Sequence, residues 1–325
     1  MEMPTEVDLS TTAAAMRRVA DNVERVIAGN RDRVEAAVVC LFADGNLLLE
    51  GVPGVGKTML ARALACSIRA EFRRVQCTPD LLPSDVTGVS VYNQETREFE
   101  FKPGAVFANL VVGDEINRAS PKTQSALLEC MAEHQVTVDG ATYALASPFM
   151  VVATQNPVEM DGTYPLPEAQ RDRFTARVSV GYPDLAAELA MIDEHAAADP
   201  FDALHPVTDA RHVHAAIETV RHVHIGPEVR QYCVEIVGAT RRLPELRLGA
   251  SPRATLQLVR TARAQAALSG RGFVVPDDVQ AVAVPVLAHR LLLTPDALAS
   301  RRSPVDIVRA LVARTPVPAP TRPAG

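Results

Sequence analysis

The stretch that decides the fold is Gly51-Val52-Pro53-Gly54-Val55-Gly56-Lys57-Thr58. Its spacing matches the phosphate-binding loop G-x-x-x-x-G-K-[ST]. The apolar run 47–49 before it predicts a short buried strand, and the run 59–70 after it, rich in Ala, Leu and Arg, predicts a helix. A chance glycine-rich turn is the competing interpretation, but the motif lies in the strand–turn–helix setting that it requires. We therefore expect the chain to bind a nucleoside triphosphate.

Each part of this loop is expected to contact a different part of the nucleotide. Glycines allow the backbone to curl so that successive N–H groups face one anion, and the N-terminus of the next helix adds a partial positive charge. Lys57 is expected to reach the β- and γ-phosphates, while the hydroxyl of Thr58 binds Mg²⁺. All eight residues of the loop are candidate ATP contacts, and Met59 joins them as the next residue of the helix.

Length, charge and cysteine usage limit the class of protein. The 325 residues exceed what one hydrophobic core comfortably holds, so two domains are expected. The formal net charge of −6 argues against a general polyanion-binding surface. The five cysteines are widely spaced and form no C-x-x-C pair, which favours free thiols in a reducing compartment over disulfides or a zinc site. Segment 1–8 does not resemble a signal peptide, and no run approaches the roughly 18 apolar residues of a membrane span, so a cytoplasmic location is expected.

The pattern along the chain changes once, near residue 183. Alternating strands and helices over 30–180 predict a three-layer α/β core with a parallel sheet. Asp139-Gly140, within the alternating segment 135–145, predicts a hairpin. The predicted domains are an α/β core over 1–183, an all-helical domain over 184–314 and a disordered Pro-rich tail over 315–325. The individual helices predicted in the second domain are 184–198, 208–219, 227–243, 252–268 and 276–290.

Polar residues follow two of the predicted strands, at the edge where open α/β sheets bind ligands. Asp114 and Glu115 follow the apolar run 110–112, with only Gly113 in between. We expect Asp114 to serve Mg²⁺ and Glu115 to polarise the attacking water, in preference to a solvated acidic loop. Asn156, just past the apolar run 149–153, can orient that water, although an ordinary Asn-Pro turn explains it equally well.

Three arginines are candidates for stabilising charge on the transferred phosphate. Arg171 and Arg173 lie near the end of the predicted core, and an arginine supplied by a neighbouring subunit accelerates hydrolysis by about 10³–10⁵-fold. A surface ion pair with Asp172 or Glu168 is the alternative, and such pairs contribute little. Arg253, at the start of a predicted helix, can approach the triphosphate from the helical domain.

Six motifs in a fixed order resemble the MoxR family of AAA+ ATPases, over about residues 20 to 312. They are GVPGVGKT, VVGDEINRAS, ATQNP, YPLPEAQRDRF, GASPRATLQLVRTARAQAAL and VPDDVQAVAVPVLAHR. The resemblance implies an AAA+ P-loop core followed by a helical lid. It also implies an insert within the second helix of the core, matched by 84–103, and a hairpin before the sensor-1 strand, matched by 135–145.

The resemblance assigns a role to each candidate residue. Asp114 and Glu115 match the Walker B pair, and the loop 51–58 matches Walker A. The remaining matches are Asn156 with sensor 1, Arg173 with the arginine finger of the "DRF" element, Arg253 with sensor 2, and Ile27, in the stretch Val26-Ile27-Ala28-Gly29, with the adenine contacts. Arg171 departs from the family, which commonly has an apolar residue there, so a second arginine lies next to the finger.

The resemblance also implies how the chain works. Sites completed by a neighbour's arginine imply a closed homo-oligomeric ring, and the family suggests a hexamer. The favoured activity is a chaperone-like ATPase that matures or activates partner proteins, often ones with a von Willebrand factor A-type domain. The ATPase subunit of a metal chelatase is an alternative. A nucleic-acid motor is disfavoured because hairpin 135–143 has no Lys or Arg and carries Asp139 at its tip.

Overall fold

The computed structural model describes most of the chain. The described residues are 8–27, 29–156, 163–182 and 200–318. Three sequence predictions therefore lie partly or wholly outside them: the helix over 184–198, most of the tail, and Ala28 in the stretch expected to flank adenine.

Strands and helices alternate in the first half of the described chain, and helices dominate the second half. The strands are β1 (Leu47–Glu50), β2 (Phe72–Gln76), β3 (Gly88–Asn93), β4 (Glu98–Pro103), β5 (Leu110–Asp114), β6 (Gln135–Val138), β7 (Ala141–Ala144), β8 (Met150–Gln155), β9 (Ala176–Ser179), β10 (Leu246–Leu248) and β11 (Leu292–Leu293). The helices are α1 (Leu9–Glu24), α2 (Arg31–Phe42), α3 (Lys57–Ser67), α4 (Pro83–Thr87), α5 (Pro121–Glu133), α6 (Glu168–Arg171), α7 (Ala210–Arg221), α8 (Pro227–Thr240), α9 (Pro252–Leu268), α10 (Pro276–Leu287), α11 (Pro295–Ala299) and α12 (Pro304–Arg314). Short 3-10 turns occupy Ile116–Arg118, Pro200–Ala203 and Ala288–Arg290.

A five-stranded parallel sheet forms the centre of the first half, in the order β2-β5-β8-β1-β9. This confirms the predicted parallel α/β core. Both faces of the sheet are covered, as a parallel sheet requires. Leu49, Val112 and Val152 belong to the core cluster that includes α1, α2 and α3, whereas Leu48 and Val111 belong to the cluster that includes α5. The strand order brings the carboxyl ends of β1, β5 and β8 next to one another.

Two antiparallel hairpins project from this core. The pair β3–β4 occupies the segment expected to be the helix-2 insert. The pair β6–β7 is closed by Asp139 and Gly140, whose φ angles of 49° and 80° are both in the left-handed region. Positive φ at both central residues defines the type I′ turn that Asp-Gly favours, so the hairpin prediction is confirmed.

The helical half packs onto the core rather than standing apart from it. Leu258 of α9 and Val279 of α10 lie in the same buried cluster as Val19 of α1 and Val38 of α2. Two predicted helices are shorter than expected. The predicted helix 227–243 ends at Thr240, and 276–290 ends at Leu287, where a 3-10 turn follows Pro285, which lacks an N–H for the helix ladder.

Gly238 offers a direct test of the packing of α8. A Cβ built there meets no heavy atom within 4 Å, so Gly238→Ala is expected to raise the free energy of unfolding by about 0.5–1 kcal/mol through lost backbone entropy in the unfolded chain. Urea unfolding followed by circular dichroism measures this as a higher midpoint at unchanged slope. Gly249→Ala is the matched control and should destabilise, because its Cβ would lie 2.7 Å from the backbone of Thr240. A lower midpoint for Gly238→Ala would contradict the described packing of this helix.

None of the helices in the described part of the chain combines the length and hydrophobicity needed to cross a bilayer.

Candidate nucleotide-binding site

The phosphate loop connects β1 to α3, and three glycines shape it. Gly54 and Gly56 have φ angles of 84° and 83°, a conformation that residues with a side chain rarely adopt. Gly51 is needed for a different reason, since a Cβ there would lie 2.2 Å from the carbonyl oxygen of Val180. At Gly51 the loop therefore packs closely against Val180, the residue that follows β9. At Gly54 and Gly56 the backbone can turn toward the N-terminus of α3.

Lys57 already points into this loop. Its Nζ donates to the carbonyl oxygens of Gly51 at 2.5 Å and Val52 at 2.8 Å. Burial lowers the pKa of the ammonium group, while the negative charges of Asp114 and Glu115 oppose that shift. Phosphate oxygens would compete with the two carbonyls for the same N–H groups, so the lysine lies where its predicted role requires.

The two predicted apolar contacts also lie beside the loop. A Cβ built on Gly56 would lie 3.9 Å from Cδ1 of Ile27 and 4.0 Å from Sδ of Met59. Ile27 comes from the segment after α1, whereas Met59 is in the first turn of α3. Both side chains are thus placed to pack against a nucleotide whose phosphates occupy the loop.

Asp114, the last residue of β5, lies against α3. Thr58 Oγ1 donates to Asp114 Oδ2 at 3.2 Å, and Thr154 Oγ1 donates to Asp114 Oδ1 at 2.6 Å. The parallel register that pairs Gly113 with Ala153 sets the aspartate beside Thr154. The same threonine hydroxyl accepts from the backbone N–H of Glu115 at 2.9 Å. One buried hydroxyl therefore orients both acidic residues.

Arg74, on the neighbouring strand β2, binds Oδ2 of this carboxylate, the oxygen that Thr58 also contacts. Its Nη2 and Nε lie 2.6 and 3.0 Å from Asp114 Oδ2. Burial alone would raise the pKa of Asp114, but the hydrogen bonds from Thr154 and Arg74 and the charge of Arg74 outweigh it and hold the pKa below its usual value. Asp114 is therefore a carboxylate at neutral pH.

The oxygen atoms at this point fit a magnesium ion. Mg²⁺ prefers carboxylate and hydroxyl oxygens, takes few ligands from the protein and relies on phosphate oxygens and water for the rest. The Thr58 hydroxyl and the Asp114 carboxylate supply such oxygens beside the phosphate loop. Because Arg74 binds Asp114 Oδ2, a metal ion and this guanidinium would compete for the same oxygen.

Glu115 and Asn156 lie at the same edge of the sheet. Glu115 has a φ angle of 55°, a strained conformation that is often retained at functional sites. Its Oε2 pairs with Nη1 of Arg118 at 3.0 Å, on the 3-10 turn that follows β5. Asn156 comes directly after β8, and β8 lies between β5 and β1 in the sheet. The edge thus carries an acid and an amide next to the phosphate loop.

Arg173 and Arg253, by contrast, lie toward the other end of the sheet, where its parallel strands begin. Arg173 is in the loop before β9, where the N–H of Thr175 donates to the carbonyl of Asn46, the residue before β1. Since β9 has 4 residues, this loop is about 13 Å from the strand end that contacts Gly51. Arg253 is in the first turn of α9, whose N-cap Ser251 also bonds to that loop. The structure therefore groups the six candidate residues into two sets.

Arg171 and Arg173 differ in their surroundings. Arg173 Nη1 donates to the carbonyl oxygen of Leu128 on α5 at 2.6 Å. Arg171 is more enclosed: burial lowers its pKa, and its Nε has no hydrogen-bond partner within the described residues. Among the described residues, Asp172 pairs with Arg290 and Glu168 with Arg247, so neither acid forms the surface ion pair that is the alternative explanation. The charge of Glu168 still acts on Arg171, where it opposes the lowering of the pKa.

Three residues that contact Asp114 or Glu115 were not predicted from the sequence: Arg74, Arg118 and Thr154. Arg118 follows Glu115 by three residues, a spacing that a helical turn would pair. Thr154 and Arg74 are harder to find, since their contacts with Asp114 depend on which strands are neighbours. Only the register of the folded sheet identifies them.

Thr154→Val is expected to remove the hydroxyl that orients both Asp114 and Glu115. Valine keeps the shape but leaves the Glu115 N–H and Asp114 Oδ1 without their hydroxyl partner, as happens when a residue that supports a metal ligand is lost. We expect ATPase activity to fall by about 10–100-fold, with a higher Mg²⁺ concentration for half-maximal rate. Thr154→Ser, which retains the hydroxyl, should preserve most of the activity. A Mg²⁺ titration of steady-state hydrolysis distinguishes the two, and equal rates for both variants would remove Thr154 from the site.

Comparisons with known proteins agree with this geometry. Residues 46–176 match the model of the ATPase family associated with various cellular activities (AAA), and residues 238–311 match the AAA lid domain. The chain is 48% identical to the YeaC protein of Bacillus subtilis over 93% of this chain and 94% of that protein. It is 40% identical to the chaperone MoxR1 of Mycobacterium tuberculosis over 95% of this chain and 84% of that protein. A crystal structure of a candidate ATPase from Cytophaga hutchinsonii matches with a TM-score of 0.88 and 37% identity, covering 96% of this chain and 97% of that one.

The family models cover the phosphate loop and the lid, and the relatives span nearly the whole chain. The fold is accordingly an AAA+ ATPase core followed by a helical lid. The chain belongs to the MoxR family of AAA+ ATPases, enzymes that hydrolyse ATP.

Proposed function

We propose that this chain is a Mg²⁺-dependent ATPase that acts as a chaperone-like remodeller of partner proteins, working as a hexameric ring. The observation that carries the proposal is the division of the candidate residues between two edges of the sheet. Lys57, Thr58, Asp114 and Glu115 lie together at one end of the sheet, whereas Arg173 is in the loop at the other end of β9, a strand about 13 Å long. Complete sites then form only where one protomer meets the next.

In this mechanism each side chain has one task. Lys57 and the loop N–H groups bind the β- and γ-phosphates, and Thr58 and Asp114 would hold Mg²⁺, which neutralises phosphate charge when bound. Glu115 accepts a proton from the attacking water once that carboxylate leaves Arg118, and Asn156 orients the same water. Arg173 of one protomer stabilises the charge on the phosphate bound by its neighbour, with Arg253 approaching from the same side.

The grouping of Arg253 with Arg173 bears on how sensor 2 acts. From the sequence, Arg253 is expected to approach the triphosphate from the helical domain, either in its own protomer or in the next. Because Ser251, two residues before Arg253, bonds to the loop of Arg173, both arginines serve the neighbouring nucleotide in the proposed ring. The domain limits of 1–183 for the core and 184–314 for the lid remain part of the proposal.

Surface chemistry supports a protein partner over a nucleic acid. On the β3–β4 hairpin, Tyr92 and Phe99 are exposed, Phe99 by 74%, and their rings lie 5.3 Å apart. With the exposed Val89 and Val91 they form an apolar patch, a feature that is typical of interaction surfaces. The charges of this hairpin and its turn are Glu95, Glu98 and Glu100 against Arg97 and Lys102, a balance that does not favour a phosphate backbone. We propose a partner with a von Willebrand factor A-type domain, met in the cytoplasm, where the free cysteines of this chain stay reduced.

The test is capture of the partner on a stalled ring. Tagged Glu115→Gln protein, held in ATP and Mg²⁺, is expected to retain a protein with a von Willebrand factor A-type domain, and to release it when ATP is withdrawn. Lys57→Ala protein is the matched control, because it should not bind nucleotide. Retention of the large subunit of a chelatase would instead assign the chain to that enzyme, and retention of nucleic acid would contradict the proposal.

A further inference from the structure

The loop that carries Arg173 is held by residues of the helical lid. Arg290, in the 3-10 turn after α10, has a side chain only 1% exposed. Its guanidinium donates to the carbonyl oxygens of Phe174 at 2.5 Å, Asp172 at 3.3 Å and Thr175 at 3.4 Å. One buried lid arginine thus binds three of the four residues of the loop 172–175.

Asp172 is the carboxylate at the centre of these contacts. Its Oδ1 accepts from Nε of Arg290 at 2.9 Å, and its Oδ2 accepts from Oγ of Ser251 at 2.8 Å. Ser251 is the N-cap of α9, the helix whose first turn contains Arg253. Asp172 therefore bonds to two separate lid elements and is the chain neighbour of Arg173.

Burial makes this connection rigid. A guanidinium removed from water is stable only when a carboxylate and further acceptors surround it, and removing one partner of a buried pair is costly. Burial lowers the pKa of Arg290, Asp172 opposes that shift, and the charge of Arg253 is close enough to lower the pKa further. Arg253 and Arg290 therefore lie close to each other, beside the loop that carries Arg173.

We infer that Asp172 is a positioning residue that, through Ser251 and Arg290, joins Arg173 and Arg253 into one unit which a protomer presents to its neighbour's nucleotide. A movement of the lid then moves both arginines together. The inference rests on the proposed ring, in which these arginines act between subunits. It adds the contact that makes the position of the finger depend on the lid of its own protomer.

The alternative is that Asp172 only stabilises the fold. The two explanations differ in which subunit is affected. Loss of stability lowers the activity of the protomer that carries the substitution. Loss of positioning lowers the rate at the next site, even when the protomer that carries the substitution hydrolyses nothing itself.

Mixed rings separate these effects. Wild-type protein is combined with an excess of carrier subunits that contain Lys57→Ala, so that carriers contribute arginines but no active site. Five carriers are compared: Lys57→Ala alone, and the same with Arg173→Ala, with Asp172→Asn, with Ser251→Ala or with Asp44→Asn. Asp44 is the matched control, because its carboxylate also pairs with a lid residue, Arg221 at 2.7 Å, while no hydrogen bond or ion pair joins it to loop 172–175 within the described residues.

We expect the Asp172→Asn carrier to lower kcat per wild-type subunit by about 10²-fold, the cost of displacing a charged group by ~1 Å. The Arg173→Ala carrier should lower kcat further, and KM for ATP should stay within about twofold for both. The Asp44→Asn carrier should match Lys57→Ala alone. A Ser251→Ala carrier, which leaves the buried ion pair intact, should give a partial loss and covers the case in which Asp172→Asn protein does not fold.

The two proposals fail differently in this experiment. If the Arg173→Ala carrier supports wild-type subunits as well as Lys57→Ala alone, the arginine finger does not act between subunits, and the proposed ring mechanism is wrong. If that carrier fails to support its neighbours while both the Asp172→Asn and Ser251→Ala carriers support them fully, the ring mechanism stands and the positioning role of Asp172 is overturned.

Discussion

Replacing Glu115 with glutamine is expected to leave ATP binding intact and to lower turnover by about 10²–10⁴-fold, the usual contribution of a general base. Glutamine keeps the size of the side chain but cannot accept a proton from water. The groups proposed to contact phosphate and metal are separate from it: Lys57 lies in the phosphate loop, and Thr58 bonds to Asp114. Steady-state hydrolysis and equilibrium binding of a fluorescent ATP analogue measure the two properties independently.

A matched control for this variant is Glu129→Gln, an exposed acid on α5. It makes the same change of charge without touching the site and should retain normal turnover. We also expect the Glu115→Gln protein to accumulate as an assembled, ATP-bound ring. Hydrolysis at the wild-type rate would contradict the water-activating role of Glu115, and loss of ATP binding would show that the side chain holds nucleotide instead.

Arg173→Ala is expected to lower ATP hydrolysis by about 10³-fold or more, the range found for arginines that complete a neighbour's site. Within the described residues the side chain bonds to the carbonyl oxygen of Leu128 through Nη1, and the other N–H groups of the fork can then serve phosphate oxygens. Arg173→Lys should not restore the rate, because lysine lacks that fork. Arg171→Ala is the neighbouring control and should have the smaller effect. The measurement is kcat for ATP at saturating Mg²⁺.

Mixing two inactive variants tests where this arginine acts. Arg173→Ala protomers keep an intact phosphate loop, while Lys57→Ala protomers keep an intact finger. In a mixed ring some interfaces pair the intact loop of one with the intact arginine of the other, so activity should partly return. If no mixing ratio restores hydrolysis, Arg173 acts within its own subunit or the finger lies elsewhere.

Much of the fold could be predicted because its signals are local. The phosphate loop, the Asp139-Gly140 turn and the strand before Asp114 each depend on a few consecutive residues, and the structure has all three. The helical character of the second half follows from composition and periodicity. Some short elements could not be predicted individually. The helices α11 and α12 and the β10–β11 pair depend on tertiary packing that a short stretch of sequence does not contain.

The contacts that complete the site could not be predicted, because they join distant parts of the chain. Thr154 meets Asp114 only because β8 pairs with β5, and Arg74 meets it only because β2 lies on the other side. Asp172 and Arg290 are 118 residues apart. For the same reason the sequence leaves open whose triphosphate Arg253 approaches, since it does not reveal to which end of the sheet the lid is bound.

The most direct test of the central claim is the specific ATPase activity per subunit across a wide range of protein concentration. If the neighbouring protomer completes each nucleotide-binding site, ATPase activity per subunit should rise with protein concentration. It should reach a plateau at the concentration where sedimentation shows that the ring has formed. Constant activity per subunit, down to concentrations at which the protein sediments as a monomer, would contradict the account.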